Sequence, residues 1–268
     1  MNSRCSTAVR FGALTALLAL AFSMIGVPSA AAETDRSFQV TCSFSHDRSD
    51  DPIVFPGQPG KSHHHVFFGN PSTDARSTAE SLYFTGVTTC DTPYDLSAYW
   101  TPDLLVDGRS VKPSYAVASY EARGKTGIRP FPFGLKMIVG DAHAHHPQDP
   151  ALVKWNCGGS EVGGSPAEVP NCGWWQDTTV RYNFPDCWNG RDLDASDHKS
   201  HLAFSSGGRC PASHPVAVPG VRLTFGYSGI GDGGKVALAS GGPMTAHADL
   251  FNAWDPTAFA YYVGLFLG

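Results

Sequence analysis

Phe38-Gln39-Val40-Thr41-Cys42-Ser43-Phe44 decides the fold class. Apolar and polar residues alternate along it with a period of two, which is the signature of a β-strand with one face in a core and one outside. The next stretches, Asp50-Asp51-Pro52 and Pro56-Gly57-Gln58-Pro59-Gly60, are turn chemistry. His65-Val66-Phe67-Phe68 then reads as a buried strand, ended by Gly69-Asn70-Pro71. A short helix is expected within Ser72 to Leu82, capped by Thr73 or Asp74. Further strands are expected at Leu135 to Val139, Thr178 to Asn183, Val221 to Tyr227 and Val236 to Ala239, each short and bounded by Gly, Pro or Asn. Asp255 followed by Pro256 is an N-cap with Pro at the first helical position, so Thr257 to Leu267 reads as an apolar terminal helix. The expected architecture is mainly β: a single disulfide-stabilised β-sandwich or jelly-roll-like domain with long loops and a few short helices.

Composition supports that reading. The chain carries 29 Gly and 20 Pro among 268 residues, and 19 Asp against 5 Glu, so good helix formers are few. Its 31 aromatics and 42% apolar content are ample for a core. Arg4 and Arg10 precede an apolar run from Phe11 to about Val27, and Ser29-Ala30-Ala31-Ala32 offers a small-residue cleavage site. Residues 1–32 are therefore expected to be a secretory signal peptide, leaving 33–268 as one secreted, extracellular domain with no membrane association after cleavage. That product carries 17 basic and 24 acidic residues, a net charge of −7, which argues against nucleic acid as a partner. Six cysteines remain after Cys5 leaves with the signal. In an exported chain they read as three disulfides. Nearest-neighbour pairing is expected (Cys42–Cys90, Cys157–Cys172, Cys187–Cys210), because short loops close at the least entropic cost. No heptad pattern argues for assembly, so a monomer is expected.

Three constellations carry chemistry. In Ser62-His63-His64-His65, a strand starting at His63 would send His63 and His65 to one face, the geometry of an H-x-H metal pair. A polar strand edge with imidazoles bonded to backbone is the bland alternative. Asp192-Leu193-Asp194-Ala195-Ser196-Asp197-His198-Lys199-Ser200-His201 packs three carboxylates, two imidazoles and an ammonium into ten residues, close after Trp188. His198 and His201 would share a face on a helical turn, although Asp197 can also serve merely as a cap. His247-Ala248-Asp249 would place an imidazole and a carboxylate on one strand face, with Asn252 and Trp254 following. Asp141-Ala142-His143-Ala144-His145-His146-Pro147 is set aside as a Pro-bounded polar loop. His46 and His214 read as structural, hydrogen-bonded histidines.

These stretches resemble an uncharacterised secreted family, domain of unknown function number nineteen-ninety-six. The resemblance is carried by Cys42-Ser43-Phe44-Ser45-His46, Asp50-Asp51-Pro52-Ile53-Val54, Ser62-His63-His64-His65 with Phe67-Phe68-Gly69-Asn70, and Ser97-Ala98-Tyr99-Trp100. It continues through Asp197-His198-Lys199-Ser200-His201, His214-Pro215-Val216 and His247-Ala248-Asp249 with Asn252-Ala253-Trp254, covering nearly all of the mature chain. Family members are secreted proteins of fungi and bacteria, some beside WSC wall-associated or carbohydrate-binding modules. The resemblance implies work on polysaccharide or cell wall by association only.

Two functional classes follow. One is a secreted carbohydrate- or wall-directed hydrolase, with Asp197, His198 and His201 as catalytic residues. His63, His65, His247 and Asp249 would then hold a divalent metal, zinc or copper, while Trp175, Trp188, Lys199 and Asn252 contact substrate. A metal-free variant would pair Asp194 with Asp197 as acid and base. The other is a non-catalytic glycan- or cell-wall-binding module, using one of the adjacent Trp174 and Trp175 to stack on sugar, or a metal-binding protein. No G-x-S-x-G, P-loop or H-E-x-x-H pattern occurs, so serine hydrolase, nucleotidase and zincin mechanisms lack their signatures.

Overall fold

The structure is a computed structural model that describes Met1 and residues 36–160, 163–230 and 234–268. Residues 2–32 of the expected export signal lie outside the described residues. Asp35–Gly268 form one compact unit, and among the described residues no helix is long and apolar enough to cross a membrane.

The opening alternation is real, but it serves two strands rather than one. β1 (Ser37–Cys42) ends at Ser43 and β2 (Phe44–Arg48) begins immediately after it in a different sheet. The Cys42–Cys90 disulfide sits at that crossover. The chain continues through β3 (His65–Gly69), α1 (Ala79–Thr85), β4 (Ala98–Pro102), β5 (Leu104–Val106), β6 (Arg109–Val111) and β7 (Tyr115–Glu121). It then forms β8 (Lys136–Gly140), β9 (Val153–Cys157), β10 (Thr178–Asn183), β11 (Cys187–Trp188), β12 (Leu202–Ala203) and β13 (Val216–Ala217). β14 (Gly220–Tyr227), β15 (Val236–Leu238), β16 (His247–Phe251) and α2 (Pro256–Phe266) complete it. The first helix starts later than the sequence suggests. Thr73 donates its hydroxyl to the Asn70 carbonyl and Asp74 closes a turn, whereas Thr78 and Ser81 form a reciprocal capping box. Asp255 caps α2 as expected, accepting from the Ala258 amide at 2.8 Å.

Two five-stranded antiparallel sheets dominate. The first runs β1-β7-β14-β10-β9 and the second β2-β3-β4-β16-β8, with two three-stranded sheets at the periphery. They face each other as a sandwich. Phe68 of the second sheet packs on Phe225 of the first with centroids 5.2 Å apart. Two pairs of hydroxyls meet across this core: those of Tyr99 and Tyr120 at 2.6 Å, and those of Thr101 and Tyr182 at 2.9 Å. That pairing offsets the cost of burying these four hydroxyls, whereas the buried Tyr227 hydroxyl has no hydrogen-bond partner. The three disulfides join the nearest-neighbour pairs the loop-closure argument favours.

Alternation fixes what the second sheet shows on its outer side. Val66, Phe68, Tyr99, Leu250 and Met137 enter the main core, so Phe67, Trp100, Asp249 and Ile138 point away from it. This outer face is also covered. Ile53 from the loop after β2, and Ala79 and Leu82 from α1, pack on Phe67, Ala98 and Trp100 as a second, smaller core.

Candidate metal centre and cleft

The register of the second sheet builds the candidate site. Asp249 lies opposite Trp100, and Trp100 opposite Phe67, in one row across β16, β4 and β3. One row further toward the strand ends, His65 and His247 flank β4 on the same outer face, and the Thr101 hydroxyl fixes the His247 carbonyl at 2.9 Å. On its other side β16 pairs with β8, where His247 lies opposite Gly140. Gly140 has φ +89°, and a Cβ there would sit 2.5 Å from the Ala246 carbonyl oxygen and 2.8 Å from His247 Cα. Only glycine lets β8 approach the histidine so closely.

Three imidazoles converge at this edge. His63 Nε2 is 3.1 Å, and His65 Nε2 3.5 Å, from His247 Nε2. The tautomers of two rings are set by backbone carbonyls, which can only accept. His65 Nδ1–H donates to the Asp50 carbonyl at 3.0 Å, and His247 Nδ1–H to the Thr245 carbonyl at 2.9 Å. Both rings therefore present an Nε2 lone pair to each other. A proton on His63 Nε2 would satisfy one lone pair and leave the other facing a lone pair still. Burial keeps all three rings neutral: it lowers His63 to about 4 and His247 to about 3, and holds His65 well below the ordinary imidazole value. Neutral imidazoles with their Nδ1–H anchored on carbonyls are the usual condition of metal-ligating histidines.

Next to them lies a second group of donors. Asp51, His65 and Asp249 bring their ligand atoms within 4.8 Å of one another, as do His63, His65 and His247. Asp51 is held by its own loop, its Oδ1 accepting the Ile53 and Val54 amides at 2.8 Å each. Asp249 is 1% exposed and neither carboxylate oxygen has a hydrogen-bond partner. Burial first, and the neighbouring Asp51 charge second, push its carboxyl well above the carboxylate range.

All of this opens on a cleft of about 420 Å³ lined by residues from each of the three constellations, including His63, Asp197, His198, Lys199, His247 and Asp249. His198 has φ +57°, a costly conformation for a non-glycine residue, and its Nδ1 lies 2.8 Å from Asp194 Oδ1. Asp194 also pairs with Lys136 at 3.4 Å. Lys199 reaches across to donate to the Gly140 carbonyl at 2.6 Å, so it ties the loop to the strand end.

Other residues of the sequence reading lie elsewhere. Asp197 lines the cleft, but its Oδ1 accepts the Lys199 and Ser200 amides and the Ser200 hydroxyl, which lowers its pKa to about 2. That is a turn cap, not an acid held in reserve for pH 7. His201 does not share a face with His198, because the segment forms turns rather than a helix. It is buried, and its Nε2–H donates to the Lys136 carbonyl at 2.8 Å. Trp188 donates its indole N–H to the Asp192 carbonyl, and Asn252 is buried with its amide on the Pro132 carbonyl. Trp175 is 95% exposed on the loop before β10 and does not line the cleft. Conversely, Asp141 and His143, from the loop set aside as polar, do line it. Asp51 was also missed as a site residue. The Asp50-Asp51-Pro52 stretch reads as turn chemistry, and Asp51 does close that turn through its Oδ1 while also facing the cleft. His46 and His214 are structural as expected, bonded to the Thr73 and Ser200 carbonyls.

A family model described as Domain of unknown function (DUF1996) matches residues 51–254, a span that contains every donor named above, and the chain belongs to that family. No curated protein and no solved structure matches it.

Proposed function

We propose that this member of the DUF1996 family is a secreted metal-dependent hydrolase acting on an extracellular polysaccharide or cell-wall glycan. One observation carries the reading: three Nε2 atoms converge at the wall of an open cleft while two of the rings have their Nδ1–H anchored on carbonyls. Three nitrogen ligands with room for a fourth ligand is the coordination of catalytic rather than structural zinc, and it also suits copper. A bound divalent ion would supply a polarised water at neutral pH. Among the chain's own residues, His198 is the proton-transfer group: it lines the same cleft, and Asp194 holds its Nδ1, leaving Nε2 for substrate or water. Hydrolysis consumes one water, whose hydroxyl ends on one product while the leaving oxygen takes the proton that His198 returns. Asp197 then positions the His198 loop rather than acting as catalyst.

The choice of glycan is supported by the wall-associated company of the family and by Trp174 and Trp175, which are 70% and 95% exposed. Large exposed indoles are suited to stacking on sugar rings. These tryptophans also favour a second reading, a binding module in which the cleft is not catalytic.

The decisive test is elemental analysis of purified wild type, His63→Ala and His247→Ala, followed by incubation of wild type and His198→Ala with a panel of wall polysaccharides. Bound metal in wild type alone, with product lost in His198→Ala, is expected. No metal after supplementation overturns the metal centre. Metal without product from any polysaccharide leaves the binding module as the better reading.

A further inference from the structure

We infer that Asp51 and Asp249 form a second cation position, reached from the same cleft, that takes a hard divalent ion such as Mn²⁺ or Mg²⁺. The inference rests on the imidazole triad holding its own metal, as proposed above, and adds to it.

Six aspartates are buried among the described residues, and five of them are supplied with donors. Asp50 accepts the Gly60 and Ala75 amides. Asp51 accepts the Ile53 and Val54 amides on Oδ1. Asp95 accepts from the Tyr99 hydroxyl and the Ser97 amide, and Asp103 from Ser110 and Lys112. Asp186 accepts from Lys125 and Ser205. Asp249 alone has no donor on either oxygen, although it is 1% exposed and lines the cleft. A carboxylate buried without donors is expensive unless it meets a cation.

The imidazoles cannot serve as that cation's full ligand set. His65 belongs to both groups of converging donors, but its Nδ1–H is committed to the Asp50 carbonyl, so it has one lone pair and can bind one ion. If that ion lies with His63 and His247, the carboxylates are left with two oxygen-rich ligands and open space on the cleft side. Such a site suits a hard ion that keeps several waters and binds through one or two carboxylates. A soft, nitrogen-loving metal belongs in the triad instead. The shared His65 makes the two positions neighbours, as in hydrolases where paired ions clamp attacking and leaving oxygens.

The test uses the purified mature chain, first loaded with Zn²⁺ and desalted, then titrated with Mn²⁺ by equilibrium dialysis and electron paramagnetic resonance. Wild type should retain zinc and bind one further Mn²⁺. Asp249→Asn, whose carboxylate makes no hydrogen bond to lose, should keep zinc and bind Mn²⁺ at least tenfold more weakly. Asp51→Asn, which keeps an oxygen for the Ile53 and Val54 amides, should do the same, and melting temperature checks both folds. Zinc retained with no Mn²⁺ taken up, or Mn²⁺ bound equally by both variants, overturns the second position while leaving the first intact. Zinc lost from Asp249→Asn as well shows one ion held by both groups, which also overturns it. Absence of zinc from wild type sinks the underlying reading and the inference together.

Discussion

The two sheets of the sandwich have the same strand number and opposite outer faces. The outer face of the first sheet carries Gln39, Ser119, Thr179, Arg181, Arg222 and Thr224 around a groove of about 250 Å³. Arg222 meets Glu121 at 3.1 Å, and Arg123 meets the same carboxylate at 3.1 Å. Ser119, Glu121, Thr179 and Arg181 of this face are nonetheless buried. The outer face of the second sheet is largely apolar and covered by α1 and the loop after β2, yet it buries His65, His247 and Asp249. Polarity alone therefore does not mark a site. What distinguishes the second face is that two imidazole Nε2 lone pairs and a carboxylate without hydrogen-bond donors are buried close together there.

The largest expected effect follows from supplying a cation there. A metal that binds only the folded chain stabilises it by about 2.7 kcal/mol at one hundred times its dissociation constant. For a domain of this size that is a rise in melting temperature of about 5–10 °C. Zinc should produce it in wild type and not in His247→Ala, as read by thermal melting after chelator treatment. An equal rise in both proteins would mean that the ion binds elsewhere, and the contrast between the faces would lose its chemical basis.

Next comes the carboxylate. In the metal-free protein Asp249 is a buried group with no partner beside Phe67, Trp100 and Ile138. Asp249→Leu should therefore stabilise the apo chain by about 1–3 kcal/mol, as replacement of a buried polar group by an apolar one often does. Denaturant unfolding measures it. A loss of stability would show that the carboxylate is satisfied in solution, bringing the second face closer to the first.

A pH dependence of known sign follows from the imidazoles. His63 and His247 titrate at about 4 and about 3 in the folded chain, against about 6.5 when unfolded. Between these values the unfolded chain binds protons that the folded chain refuses. The contribution of these two histidines to the stability of the metal-free protein should therefore fall as pH falls from about 6.5 toward 4 and be fully present above 6.5, whereas Asp249, whose carboxyl is raised in the folded chain, contributes in the opposite sense. Replacing both histidines with glutamine should remove their share of that pH dependence, leaving the share of His65, which burial also lowers. An unchanged pH dependence would mean that the rings are not desolvated.

How far the sequence revealed these faces depends on what each feature rests on. Bounding turn residues made Thr178–Asn183 legible to the residue, and period-two spacing brought out His247 and Asp249 on β16, whereas the strand expected from His63 begins only at His65, so His63 joins the group from the loop before β3. β4 escaped notice because Ala-Tyr-Trp-Thr-Pro is buried on both faces and does not alternate. The break at Ser43 escaped because Phe44, the first residue of β2, continues the spacing of Phe38, Val40 and Cys42. Asp51 and His143 were invisible as site residues for a different reason: they reach the cleft only through loop packing, which no local pattern encodes. His201, Trp188 and Asn252 each donate to a carbonyl, of Lys136, Asp192 and Pro132 respectively, partners that the local sequence pattern does not encode.

The smallest expected effect tests the other side of the comparison. Thr224 sits on the outer face of β14, between Val117 of β7 and Arg181 of β10. If this face is an ordinary half-solvated sheet surface, Thr224→Val exchanges a hydroxyl for a methyl of the same shape and β-preference. It should then change stability by no more than about 0.5 kcal/mol and leave metal content untouched. Denaturant unfolding and elemental analysis of the one variant give both readouts. A loss above about 1 kcal/mol would show a polar network on the first sheet as dependent on each member as the imidazole cluster is on the second. The distinction between paired and unpaired polar groups would then no longer separate a surface from a site.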